Sequence, residues 1–244
     1  MDLGISGRRA AVAAASRGLG YATAAALAAE GVRVAICSRD EGAITEAAGR
    51  IGDLAVPLVA DVSSGDGARA FVEAARGALG GIDILVTNAG GPPAGDFSST
   101  SVEQYLEAFE LNCLSVIAMC NAAVPEMRRQ RWGRVVAITS IAVRQPIPGL
   151  ILSNTARAGA TGFLKSLARE VAADGVTVNS LQPGTHDTDR VRQLGLTDAS
   201  AIPAGEIGRP EDFGAIAAFL CSEHVRFLTG SAVPVDGCAY AGLL

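Results

Sequence analysis

The chain is expected to fold as one α/β domain, a doubly wound parallel sheet with helices on both faces. Three observations point there. Short apolar or β-branched runs alternate with longer Ala-rich periodic segments along the whole length, the pattern that right-handed crossovers turn into a covered parallel sheet. No linker, repeat or low-complexity tract interrupts the alternation. The 244 residues, 49% of them apolar, suffice for one sizeable core.

The elements follow in order. RRAAVAAA (8–15) reads as the first strand and leads through SRGLG into a helix from about Leu19. VRVAICS (32–38) is the second, followed by a helix that opens at Asp40. LAVPLVAD (54–61) is the third, with a helix from Ser64. IDILVTNAG (82–90) is the fourth; a Gly/Pro-rich stretch, 90–99, separates it from a helix beginning near Val102. RVVAITS (134–140) is the fifth and is followed by a long helix from Asn154. VTVNSLQPG (176–184) is the sixth, and after an irregular segment reaching about Gly208 a helix starts at Pro210 and SAVPVDG (231–237) closes the sheet. Asp, Ser and Asn at several helix starts are cap residues, whose side-chain oxygens accept from first-turn amides.

Composition excludes several functions. A net charge of −5 and a pI near 5.1 leave no basic face for a nucleic acid. Cys37, Cys113, Cys120, Cys221 and Cys238 are odd in number and far apart, so neither a disulfide framework nor a metal site is expected. Arg8-Arg9 before AAVAAAS resembles a leader, but Arg17 ends the apolar stretch early. No apolar run is expected to reach membrane-spanning length, and a cytoplasmic address follows.

Chemistry concentrates at strand ends. The turn after the first strand places Ser16, Arg17, Gly18, Leu19 and Gly20 at a helix start. Glycines there let backbone approach a pyrophosphate, and the free amides and helix dipole favour its charge. The second, third and fourth strands end in Ser38-Arg39, Asp61-Val62 and Thr87-Asn88-Ala89-Gly90. Ligands of open α/β sheets bind outside carboxyl ends, which marks 90–99 and 183–208 as candidate site loops.

With these motifs the chain resembles, from end to end, the short-chain dehydrogenase/reductase family, and more narrowly its beta-ketoacyl-acyl-carrier-protein reductases. The resemblance implies a Rossmann-type fold and a nicotinamide cofactor. Family members open with T-G-x-x-x-G-x-G; here Ala13-Ala14 stand in for Thr-Gly, while Gly18 and Gly20 remain. The resemblance puts Asp61 and Val62 at the adenine, Asn88, Ala89 and Gly90 along the cofactor, Pro183, Gly184 and His186 along the nicotinamide, and Thr188 near the phosphates. Charge argues the choice of cofactor: an acid after the second strand suits a ribose 2′-hydroxyl, a cation suits a 2′-phosphate. Arg39 and Arg17 favour NADP(H), and Asp40 keeps NAD open.

The family's catalytic Asn and Ser correspond to Asn112 in ELNCL and Ser140 in AITS. Thirteen residues on, where the resemblance places the tyrosine of a Tyr-x-x-x-Lys pair, stands Ser153; the lysine position is Arg157. A phenol can be drawn toward neutrality by a neighbouring cation, which a serine hydroxyl cannot match. Arginine donates hydrogen bonds but makes a poor proton shuttle. Asn112, Ser140, Ser153 and Arg157 therefore form an altered set suited to stabilising an oxyanion, with Arg157 also reaching the nicotinamide ribose and the proton coming from water or His186. Arg144 and Gln145, after the Ser140 strand, could meet a substrate carboxylate or phosphate but read first as solvated loop residues, Tyr105 and Tyr240 as packing residues and His224 as a helix-end surface residue.

The expected function is an NADP(H)-dependent oxidoreductase on a carbonyl or alcohol, with a small carbonyl or acyl-type substrate. The alternative keeps the fold and loses the catalysis, leaving a cofactor-binding or regulatory subunit. The resemblance also implies a homo-oligomer, a dimer or tetramer, through the helices spanning 102–130 and 154–174.

Overall fold

The computed structural model describes residues 1–243. Seven parallel strands lie in the order β3-β2-β1-β4-β5-β6-β7. They are β1 Arg9–Val12, β2 Arg33–Ser38, β3 Ala55–Val59, β4 Ile84–Thr87, β5 Gly133–Ile138, β6 Val176–Pro183 and β7 Ala232–Val235. Crossovers through α1 (Gly18–Ala29) and α2 (Glu41–Ile51) carry the chain outward from β1, and α3 (Gly65–Leu79) returns it to the other side of β1. That reversal opens a crevice between the carboxyl ends of β1 and β4. Beyond β4 come α4 (Val102–Phe109), α5 (Ser115–Arg129), α6 (Ile151–Val171), α7 (Asp189–Gln193) and α8 (Pro210–Leu220).

Both faces of the sheet are apolar, as parallel strands require. Phe71 of α3, Met119 of α5 and Leu164 of α6 are buried on one face. Leu27 of α1, Ile44 of α2 and Phe213 of α8 are buried on the other. Burial of side chains of this size contributes about 1.5–3 kcal/mol each. Small residues set the helix spacing: a Cβ at Gly214 of α8 would fall 2.4 Å from the Ala22 carbonyl oxygen of α1.

The cap residues act as their types suggest. Asp40 accepts from the Ala43 amide at 2.9 Å, Ser64 from the Gly67 amide at 3.1 Å, and Ser101 with Gln104 forms a capping box before α4. Three features depart from the expected elements. α6 begins at Ile151 instead of Asn154, whose side-chain amide instead donates to the Ile147 carbonyl at 3.0 Å. The segment after β6 contains the short helix α7, capped by Thr188. A π-helical turn, Glu110–Leu114, joins α4 to α5.

One expectation is corrected. The continuous helix Val102–Arg129 is long and apolar enough to span a membrane, with mean hydropathy 1.4 over its best window. Half of that window is buried inside the protein, as suits a core helix packed on α3 and the sheet.

Candidate active site and cofactor cleft

The crevice beside β1 is built from close backbone approach. Gly20 is buried, and a Cβ there would lie 2.6 Å from the Ala14 carbonyl oxygen and 2.7 Å from Asn88 Nδ2. Those two atoms are themselves joined, Asn88 Nδ2 donating to Ala14 O at 3.1 Å, so β4 is stapled to the turn after β1. Gly18 has φ +62, and Thr188 packs against it. Ala14 holds φ +49, a left-handed conformation that a side chain tolerates at a cost of roughly 1–2 kcal/mol.

The amino terminus of α1 differs from those of its neighbours. Asp40, Ser64 and Thr188 cap α2, α3 and α7, whereas Arg17 at the head of α1 supplies no side-chain cap and the first turn holds no acid. Its free amides fit a phosphate. A cavity of about 430 Å³ opens there, lined in part by Arg17, Gly18, Tyr21, Arg50, Thr188 and Asp189. A larger one, about 530 Å³ between α3 and α5, is lined in part by Arg76, Gly81, Glu126 and Arg129, away from the carboxyl ends of the strands.

Three cations border the turn. Arg17 is 71% exposed and meets Asp189 at 3.5 Å. Arg50 lies over the Tyr21 ring at 4.6 Å and donates to the Ser16 carbonyl at 3.4 Å. Arg39 is exposed and enters no ion pair among the described residues. Asp40, the acid that keeps NAD open, has its carboxylate engaged as the cap of α2. Asp61 is exposed and accepts from the Ser63 amide at 2.9 Å, with Val62 buried beside it. Ala89 is half-buried and Gly90 exposed at the end of β4.

The residues that bear on chemistry sit beyond β4 and β5. The π-helical turn carries Asn112, whose Nδ2 donates to the Gly90 carbonyl at 2.9 Å. Its Oδ1 is buried with no donor among the described residues, an acceptor that a hydroxyl or water would satisfy. Ser140, half-buried past the end of β5, accepts from the Ala142 amide at 3.1 Å, which leaves its own O–H available. Ser153 and Arg157 lie one turn apart on α6, and Arg157 Nε donates to Ser153 Oγ at 3.2 Å. Arg157 Nη1 donates to the Ile138 and Thr139 carbonyls at 3.1 and 3.2 Å, fastening α6 to the end of β5. Burial, followed by the charge of Arg190, pulls the Arg157 guanidinium down to about 10, so it stays cationic near neutrality.

The structure thus gathers Ala14 to Gly20, Asn88 and Thr188 around one crevice, and Ser153 and Arg157 beside Ile138 to Ser140. Pro183 and Gly184 lie half-buried where β6 ends, and a Cβ at Gly184 would meet Asp236 at 2.7 Å. His186, in the segment after β6, is buried. Its ring is 4% exposed, edge-on to Phe213 with centroids 5.2 Å apart, and its Nδ1 lies 3.3 Å from the Gly184 carbonyl. Burial holds the imidazole below its ordinary value, against weaker upward pulls from Gly184, Asp212 and Asp236. A ring wedged in this way packs the segment after β6 against α8. Arg144 lies in the loop after β5 as expected but is half-buried there and not solvated, donating to Gln182 Oε1 at 2.6 Å and to the Ala232 carbonyl at 2.7 Å. Arg190 went unnoticed in the sequence. Its Nη2 donates to the Pro92 carbonyl at 2.7 Å, a contact between the short helix α7 and the loop after β4 that carries no periodic signal.

Fold and cleft together define a dinucleotide-binding α/β protein of the short-chain dehydrogenase/reductase type, and the chain belongs to that family. The family model described as Enoyl-(Acyl carrier protein) reductase matches residues 13–238. The 3-oxoacyl-acyl-carrier-protein reductase of Vibrio cholerae is 32% identical over 242 residues, covering 98% of this chain and 99% of that protein. Among solved structures, the L-sorbose reductase of Gluconobacter frateurii complexed with NADPH and L-sorbose superposes with TM-score 0.93 at 30% identity, covering 100% of both chains. A short-chain type dehydrogenase/reductase from Mycobacterium marinum gives TM-score 0.92 at 29% identity, over 99% of this chain and 98% of that one.

Proposed function

We propose that the protein is an NADP(H)-dependent oxidoreductase acting on a carbonyl or alcohol, working through an altered active-site set. The observation that carries the cofactor choice is the division of labour after β2: Asp40 is engaged as a helix cap while Arg39 stands exposed. A lone guanidinium there matches a ribose 2′-phosphate. Gly18, Gly20, Asn88 and the uncapped start of α1 fit the pyrophosphate. When bound, the dinucleotide supplies a hydride to the carbonyl carbon.

The chain's own residues then manage the electron pair that moves to oxygen. Ser153 Oγ accepts from the Arg157 guanidinium, a charged donor that polarises the hydroxyl and strengthens its own O–H as a donor. Ser140 offers a second hydroxyl, and the fixed charge of Arg157 stabilises the oxyanion in a partly desolvated cleft. A proton from water completes the alcohol. NADP(H) preference, a cytoplasmic address and a homo-oligomer belong to this same reading.

The test is titration of the purified protein with NADPH and NADH, read by cofactor fluorescence. NADPH should bind at least tenfold more tightly, and Arg39→Ala should remove most of that preference. Failure of both cofactors to bind would end the proposal. Ser153 and Arg157 at the positions of a phenol and an amine favour a second reading, a cofactor-binding subunit without catalysis. Tight NADPH binding with no turnover across aldehydes, ketones and oxo acids would select it.

A further inference from the structure

Arg17 heads α1, the helix whose start has neither a side-chain cap nor an acid in its first turn. Its one ion pair among the described residues comes from far along the chain: Asp189 Oδ2, on α7, lies 3.5 Å from Arg17 Nη1. Both residues line the cavity of about 430 Å³ at that helix start, together with Gly18 and Thr188. Bonds that do not involve Arg17 fix α7 in this place. Thr188 caps it and lies against Gly18, where a Cβ would be 3.6 Å from Thr188 Cγ2, and Arg190 ties it to the Pro92 carbonyl at 2.7 Å. Arg192 donates to Asp189 Oδ1 at 2.9 Å.

The Arg192 hydrogen bond, with the charges of Arg192 and Arg17, holds the Asp189 carboxyl below the usual carboxylate range, so it is an anion at neutral pH. Arg17 therefore already faces a negative group at the helix start that fits a phosphate. The hold is loose. A charge-assisted bond to a guanidinium closes to about 2.7–2.9 Å, which Arg192 achieves on this carboxylate and Arg17 does not. The Arg17 and Asp189 side chains are 71% and 46% exposed, so water and salt weaken the pair further. A phosphate, with more charge and more acceptor oxygens, is the stronger partner for the same guanidinium.

We propose that Asp189 is a built-in competitor for Arg17 and so a determinant of cofactor affinity: Arg17 rests on the carboxylate and exchanges it for a cofactor phosphate on binding. The inference rests on the oxidoreductase reading and deepens its cofactor site. A ligand that needs Arg17 binds with an apparent affinity reduced by the fraction of time the arginine is held elsewhere, roughly two- to sixfold for an exposed pair. On exchange α7 loses one tie and keeps those to Gly18 and Pro92.

The experiment is titration of the full chain with NADPH and NADH, read by cofactor fluorescence, and with adenosine 2′,5′-bisphosphate, read by calorimetry. The native protein, Asp189→Asn, Arg17→Gln and the double variant are compared. Asp189→Asn should tighten NADPH roughly two- to sixfold, a gain that misfolding cannot imitate. In the Arg17→Gln background the same substitution should leave affinity unchanged, the coupling that marks two residues acting on each other. A gain confined to NADPH supports exchange for the 2′-phosphate, and an equal gain with NADH supports exchange for the pyrophosphate. No gain, or a gain of the same size in both backgrounds, would overturn the proposal, the latter by reducing Asp189 to a general repulsive charge. If neither cofactor binds the native protein, the oxidoreductase reading fails by itself, and the bisphosphate still decides the exchange: tighter binding to Asp189→Asn sustains it, and failure to bind any variant overturns it.

Discussion

At the scale of single residues, strain and burial make two predictions. Ala14 sits at φ +49, where glycine is at ease. Part of the relief in Ala14→Gly is offset by the entropy that glycine adds to the unfolded chain, leaving a net gain of about 0.5–1 kcal/mol. The expected outcome is a melting temperature about 1–4 °C higher by calorimetry, with an unchanged fold. His186 makes the second. Its folded pKa is depressed by burial, so the unfolded chain takes up a proton at a pH where the folded one does not. Stability should therefore fall as pH drops from about 7 through the unfolded value near 6.5, and level off below the folded value. His186→Asn should be less stable at every pH yet lack that decline, which melting curves from pH 7.5 to 5 would show. A variant retaining the wild-type slope would give the decline to another group.

Whole elements bear on the proposed cofactor preference and on the limits of reading a sequence. Asp40→Ala removes the cap of α2 and should lower stability by about 1 kcal/mol in urea unfolding, while leaving the NADPH to NADH affinity ratio within a factor of two. A large swing toward NADPH would mean that the carboxylate faces the cofactor after all. Strands, caps and the glycine turn were legible because each leaves a local mark: apolar runs, a cap residue before a periodic stretch, glycine where backbones meet. Ser140, Ser153 and Arg157 were placed by the family resemblance, and the Arg157 bonds to the Ile138 and Thr139 carbonyls set its guanidinium beside the end of β5. The π-helical turn holding Asn112 left no mark, since Glu110 reaches across to the Gly65 amide at 2.7 Å, a contact invisible to local pattern. Neither did α7, whose five residues are held by Thr188 and by the pair Arg192–Asp189 at 2.9 Å. The burial of His186 left none either, because Phe213 and Gly208 cover it from other parts of the chain.

Across the whole molecule, the amino ends of the strands are held as firmly as the carboxyl ends are open. Asp83, its side chain 5% exposed, is gripped by Arg9 through Nε and Nη2 at 2.8 Å each and by the Arg9 amide at 3.0 Å. Burial pushes its carboxyl up, but the Arg9 contacts outweigh this and hold it below the usual carboxylate range. That stabilisation is complete above the unfolded pKa near 4 and lost as pH falls through the folded value. Asp83→Asn should cost about 3 kcal/mol at neutral pH by urea unfolding, and the deficit against the native protein should shrink under strong acid. A deficit independent of pH would assign the cost to packing. Nearby, Trp132 is stacked between Arg8 at 3.7 Å and Arg134 at 4.3 Å, and its indole N–H donates to Glu223 at 2.7 Å. It is the chain's sole tryptophan, and it lies at the end of β5 opposite Ser140, roughly 26 Å away along the extended chain. Indole emission therefore follows the clasp that Arg8, Arg134 and Glu223 close around one ring, so a single native fluorophore times the opening of that end of the sheet.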